Sequence, residues 1–125
     1  MKWTDEHESI RETAAKFVDN EINPFVDQWE EDGIFPAHEL FKKLGDLGML
    51  GISKPEKYGG LGLDYSYSIV FAEEMGRIQT GGVGMGIGIQ TDMSTPALAK
   101  FGSEELCNEF LVPAISGDVV TSIAV

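Results

Sequence analysis

Cysteine, histidine and basic residues are scarce in this 125-residue chain: there is one Cys, two His and nine Lys plus Arg. A lone cysteine, Cys107, excludes an internal disulfide and suits a reducing compartment. Its neighbours Glu104, Glu105 and Glu109 disfavour a thiolate, so a packing role in a helix is expected rather than a nucleophilic one. The histidines, His7 and His38, stand far apart. His7-Glu8 lacks the second histidine of an H-E-x-x-H motif, because Arg11 occupies that place. Zinc needs three or four clustered ligands, so no metal site is expected. No apolar run approaches the roughly 20 residues that span a bilayer. The opening Met1-Lys2-Trp3-Thr4-Asp5-Glu6 reads as neither a signal peptide nor an Arg/Ser-rich transit peptide. A soluble intracellular protein is the expectation.

Nine bases against 21 acids leave a net charge of −12. Such a surface repels phosphate backbones and anionic membranes, which argues against nucleic-acid binding and membrane docking. The acids concentrate at both ends, with ten in residues 1–32 and eight in residues 64–125, and no stretch forms a like-charge block. They read as solvated helix faces. There is no P-loop. There is no G-x-G-x-x-G either, since each G-x-G pair lacks its third glycine; after the pairs 84/86 and 86/88, for example, Ile89 and Thr91 stand in its place. Composition is otherwise that of a globular domain, 42% hydrophobic and 24% charged, and a chain this long can bury a core.

Most of the chain reads as helix. Thr4 is a plausible N-cap, and Ile10, Ala14, Phe17 and Val18 make one apolar stripe. Asn23-Pro24 interrupts it, and a shorter helix through Phe25, Val26 and Trp29 stops at Gly33. Pro36 opens the next helix, with Leu40, Phe41, Leu44 and Leu47 as its stripe and Gly48 as its C′ residue. Residues 54–63, with Pro55 and three glycines, read as loop. Asp64 caps a helix over Tyr65–Ile78, apolar on most sides and therefore expected to be central. Of the pair Glu73-Glu74, one is expected to face solvent and the other to pair with Arg77. Pro96 permits a short helix through Ala97, Leu98 and Phe101. Ser103 caps another, with Leu106, Phe110 and Leu111 inward.

Two segments stand out. Gly81, Gly82, Gly84, Gly86 and Gly88 alternate with Val83, Met85, Ile87 and Ile89, which fits either a period-two strand or a glycine-rich helix. Such glycines could bare backbone N–H groups to a phosphate, thin a helix so that an apolar ligand chain lies on it, or allow close helix–helix packing. Of the two ligands the apolar chain fits better, because no Lys or Arg is present there. Val119–Val125, rich in β-branched residues, reads as a strand without a partner, so a sheet is expected to continue past residue 125.

Four segments in order carry a family resemblance: Lys57-Tyr-Gly-Gly-Leu-Gly-Leu-Asp64, Glu73-Glu-Met-Gly-Arg77, Pro96-Ala-Leu-Ala-Lys-Phe-Gly-Ser103-Glu-Glu and Leu111-Val-Pro-Ala-Ile-Ser-Gly-Asp118. Together they resemble the all-helical N-terminal domain of the acyl-CoA dehydrogenases. The resemblance implies an all-α domain over residues 1–118, with residues 119–125 starting a β-barrel domain that a C-terminal four-helix domain would follow. It implies FAD as cofactor and acyl-CoA as substrate. A glutamate outside these residues would remove the α-proton, and the β-hydrogen would leave as hydride to the flavin. An electron-transfer flavoprotein would be the electron acceptor, and the assembly a homotetramer or homodimer. The location would be the mitochondrial matrix in a eukaryote or the cytoplasm in a bacterium.

Ile123-Ala124-Val125 match the lead-in to the family's flavin motif, so Ile123 and Val125 would touch the flavin. Met85, Gly88, Ile89 and Asp92 would lie on the ligand side of the helix lining the acyl tunnel, and no catalytic residue falls in the chain. Asp92 departs from the apolar residue common there. An acid beside an aliphatic tail is costly unless solvated or paired, which weighs against a long, plain fatty-acyl substrate. An acyl-CoA oxidase or flavin monooxygenase of the same fold, and a non-catalytic helical interaction module, are the alternatives.

Overall fold

A computed structural model describes residues 2–125, and every regular element among them is helical. Helix α1 (Asp5–Phe17) opens with a capping box: the Thr4 hydroxyl accepts from the His7 backbone N–H, and the His7 ring accepts from the Thr4 N–H. Ile10, Ala14 and Phe17 are buried along its stripe. A π-helical turn (Val18–Ile22) and a 3-10 turn (Asn23–Phe25) carry the chain past Pro24 into α2 (Val26–Asp32), which Gly33 closes at φ 71°. Helix α3 (Ala37–Asp46) buries Leu40, Phe41 and Leu44. Leu47, expected on the same stripe, is 46% exposed instead. It is the C-cap residue, past the last turn of α3 and off the buried face that Leu40, Phe41 and Leu44 share.

The loop that follows is tied down by backbone bonds, among them Leu61 N–H to Gly51 O (2.8 Å) and Leu63 N–H to Ile52 O (3.0 Å). Asp64 then caps α4 (Tyr65–Met75) through the Ser66 N–H at 2.8 Å. This helix packs along α1, with the His7 ring stacked on Tyr67 at 3.7 Å. It is less central than expected and stops short of Ile78: Tyr67, Val70, Phe71 and Glu74 are buried while Ala72 is exposed, so one face rather than most sides turns inward. Glu74 pairs with Arg77 at 3.0 Å, and Glu73 is half exposed.

The glycine-rich segment is helix α5 (Gly81–Gly88), not a strand. A second π-helical turn (Ile89–Ser94) joins it to α6 (Thr95–Phe101). Then come α7 (Glu104–Leu106), a third π-helical turn (Cys107–Leu111) and α8 (Val112–Ser116), ending at Gly117 with φ 81°. Leu106 and Phe110, expected inside, are 44% and 47% exposed. The inward stripe falls instead on Cys107, Leu111, Ala114 and Ile115, spaced as one helix face. Cys107 has the packing role expected of it, its Sγ–H pointing to Leu98 O at 3.4 Å.

One core joins α1, α3, α4 and α5, and a smaller one gathers Tyr58, Cys107, Leu111 and Ile115. Helices α3 and α8 cross at Gly45 and Gly117, where an added Cβ would collide with the Ser116 and Phe41 carbonyls. No strand forms among the described residues, so the strand expected over 119–125 is not confirmed by them. A strand requires a hydrogen-bonded neighbour, and this segment has none. No helix among the described residues is long and apolar enough to cross a membrane.

Candidate functional site

Val83 and Ile87, one helical turn apart, anchor α5 in the core at 2% and 0% exposure. The other side of the helix is bare. An added Cβ at Gly81, Gly82, Gly84 or Gly88 would meet nothing within 4 Å, and Gly86 alone in α5 approaches another side chain, Phe35. Glycine in a helix interior costs about 1 kcal/mol relative to alanine. Close packing inside the chain therefore does not account for these glycines. Of the four residues expected to face a ligand, Met85 and Asp92 are exposed, and Gly88 and Ile89 are half-buried. The face runs from α5 into the π-helical turn, a feature that often marks functional sites.

That turn is held by side chains the sequence reading passed over. Gln90 is fully buried. Its Nε2 donates to Ala114 O (3.0 Å) and Val119 O (2.8 Å), and its Oε1 accepts from the Thr121 N–H and hydroxyl, both at 2.7 Å. Ser94 Oγ lies 2.5 Å from Thr121 Oγ1. One amide thus fastens Val119–Thr121 to the helix, and the exposed Ile123 and Val125 follow directly. A buried glutamine amid apolar neighbours is hard to foresee, since its partners are backbone groups about 24 to 31 residues away.

Lys54 is the second residue missed. It is 5% exposed, and its Nζ donates to Thr91 O at 2.9 Å. Pro96 has no N–H to return to the carbonyl five residues back, which is Thr91, and the lysine serves that carbonyl instead. Burial pushes the ammonium below the usual lysine range, and Asp92 partly offsets this. Lys54, Thr91 and Asp92 line a cavity of about 380 Å³ together with Ser53, Tyr65 and Lys100. A larger cleft of about 680 Å³, lined by residues of α1 and α4 and by Arg77, is a surface ion-pair network. In it Arg11 meets Glu73 at 2.7 Å and Glu74 at 3.2 Å. Both of its arginines are paired with carboxylates, Arg77 with Glu74 and Asp19, and it has the character of a structural seam.

Residues 4–118 match the family model described as the acyl-CoA dehydrogenase N-terminal domain. The isovaleryl-CoA dehydrogenase of Solanum tuberosum mitochondria is 34% identical over 99% of this chain and 30% of its own length. An acyl-CoA dehydrogenase structure from Geobacillus kaustophilus superposes with a TM-score of 0.85 at 35% identity, covering 94% of this chain and 30% of that one. Another, from Bacillus anthracis and complexed with FAD, has a TM-score of 0.85 at 32% identity, covering 94% of this chain and 20% of that one. The chain therefore spans under a third of the relatives it matches. It belongs to the acyl-CoA dehydrogenase family, as that family's N-terminal domain.

Proposed function

We propose that this chain supplies one wall of an acyl pocket and part of a flavin site in an enzyme that removes the α- and β-hydrogens of an acyl-CoA thioester. The observation that carries the reading is the bare glycine face of α5, where a Cβ added at Gly84 or Gly88 would meet nothing within 4 Å. A wall of glycine backbone flanked by Met85 and Ile89 lets an acyl chain lie close to a helix with little polar surface to desolvate. Once packed, the chain and this wall exclude water from the reacting carbons.

The residues present fit an FAD. Ile123 and Val125 are exposed, apolar and held near the π-helical turn by the Gln90 clamp, so they are the residues that would touch its ring. The chemistry an FAD bound there would supply is acceptance of the β-hydrogen as hydride. No residue of this chain is assigned the α-proton. Residues 1–118 form the helical domain in this reading, and 119–125 lead into a β-barrel domain. The electron acceptor in this reading is an electron-transfer flavoprotein, and the assembly a homodimer or homotetramer.

The test is made on the full-length protein. Its visible spectrum should show bound flavin, and acyl-CoA added without oxygen should bleach it. Gly88→Phe should shift the preference toward shorter acyl chains with flavin content unchanged. Equal loss of activity at every chain length would overturn the placement of Gly88 on the acyl wall.

A further inference from the structure

We infer that Lys54 is a specificity residue that selects acyl chains bearing an oxygen substituent over plain alkyl chains. The inference rests on the acyl-pocket reading above and adds the class of substrate. Lysine is almost never fully buried unless paired, yet Lys54 is 5% exposed. Its position is set by its backbone: the Lys54 N–H donates to Gly51 O (3.1 Å), and the Gly62 N–H donates back to Lys54 O (2.9 Å). Gly60 lies so close to this backbone that a Cβ there would strike the Lys54 carbonyl. The ammonium is therefore presented by a rigid loop.

An ammonium has three donors. Among the described residues Lys54 spends one, on the Thr91 carbonyl. No carboxylate among them lies within ion-pair range of it; Lys16, Lys42 and Lys43 have such partners, and Lys2, Lys57 and Lys100, which have none, are exposed where Lys54 is buried. Asp92, the one acid lining the same cavity, is engaged by the Thr91 hydroxyl at 2.7 Å. Two donors of the ammonium thus have no partner among the described residues, and Lys54 lines a cavity of about 380 Å³ whose lining also includes Ser53, Tyr65 and Lys100.

Asp92 lines this cavity and lies in the π-helical turn that continues α5, so in this reading an acyl chain that reaches Asp92 comes to the cavity that Lys54 lines. A plain alkyl chain would strip water from the charge and return nothing. An oxygen on the chain accepts a charge-assisted bond from Nζ. A hydroxyl could also donate to Asp92, whereas a second carboxylate would meet Lys54 and Lys100 against the single charge of Asp92.

The test uses the full-length, flavin-loaded protein and three ligands of equal carbon count: hexanoyl-CoA, its terminal hydroxy analogue and adipoyl-CoA. Dissociation constants are read by titration calorimetry. At least one oxygen-bearing ligand should bind about tenfold more tightly than hexanoyl-CoA, as a charge-assisted hydrogen bond allows. K54M should erase that ratio and leave hexanoyl-CoA as tight or tighter. K54Q keeps a donor for the Thr91 carbonyl and so guards against a failure to fold. It should abolish any preference for adipoyl-CoA. A ratio near one in the wild type, or one unchanged in both variants, overturns the role of Lys54. In that case hexanoyl-CoA still binds and bleaches the flavin, and the acyl-pocket reading stands. A folded yellow wild type that binds none of the three ligands overturns the reading and the inference together.

Discussion

At Gly45 and Gly117 an added Cβ would run into the backbone of the crossing helix, whereas at Gly84 and Gly88 it would meet nothing. The same residue type answers two different demands in the two regions. Where α3 crosses α8, glycine is required by the neighbour already present. On α5 no neighbour in the chain requires it, and the helix carries the propensity cost of four glycines on a bare side. A residue whose cost is not repaid within the fold points outward, to something the face must accommodate.

Substitutions should separate the two regions by sign as well as size. The largest effect is expected of Gly45→Ala. Its Cβ faces the Ser116 carbonyl, which cannot turn aside as a flexible side chain can, and overpacking of that kind costs about 3 kcal/mol. Thermal unfolding should show the loss directly, and an unchanged midpoint would mean that the crossing is looser than described. Gln90→Leu comes next, at about 2 kcal/mol, because Val119 O and the Thr121 N–H lose their buried partner. Faster amide exchange at Thr121, with little change in α1 and α4, would locate the damage at the clamp.

Gly84→Ala should act in the opposite direction, raising stability by about 1 kcal/mol, since it adds helix propensity in open space. A destabilised variant would show that the face is covered in the folded chain.

The smallest effect is one of pH, and here Asp118 and Lys54 share a sign but act at opposite ends of the pH range. At the α3–α8 crossing, the Ser116 hydroxyl and then Lys42 hold the Asp118 carboxyl below its usual range. That contribution is present above the ordinary aspartate pKa and is lost as pH falls through the lowered one. Lys54 is shifted down by burial. Between its lowered pKa and the ordinary lysine value the unfolded chain binds more protons, so stability from this group rises with pH. Midpoints measured across pH should lose the acid-side slope in Asp118→Asn and the alkaline-side rise in Lys54→Met.

Helix positions were legible wherever a cap and a stripe agreed. Thr4, Asp64 and Ser103 cap α1, α4 and α7, and Gly33 and Gly117 turn the chain with positive φ. The errors share a cause. Leu47, Leu106 and Phe110 are apolar and near a stripe, yet each sits a fraction of a turn off it, and periodicity read over a few residues does not resolve that angle. The strand expected over 119–125 is a different case: a strand is a relation between two segments, and its partner is not among the described residues.

Capping chemistry, the acidic surface and the order of the family's segments depend on residues adjacent in the chain or on composition, and they stand in the sequence itself. The openness of the α5 face, the Gln90 clamp and the burial of Lys54 do not. Each depends on which distant backbone arrives beside a residue: Ala114 and Thr121 at Gln90, Thr91 at Lys54, and nothing at Gly88. Those meetings exist only once the helices have packed, because the free energy of a buried polar group is set by the partner it finds in space and not by its neighbours along the chain.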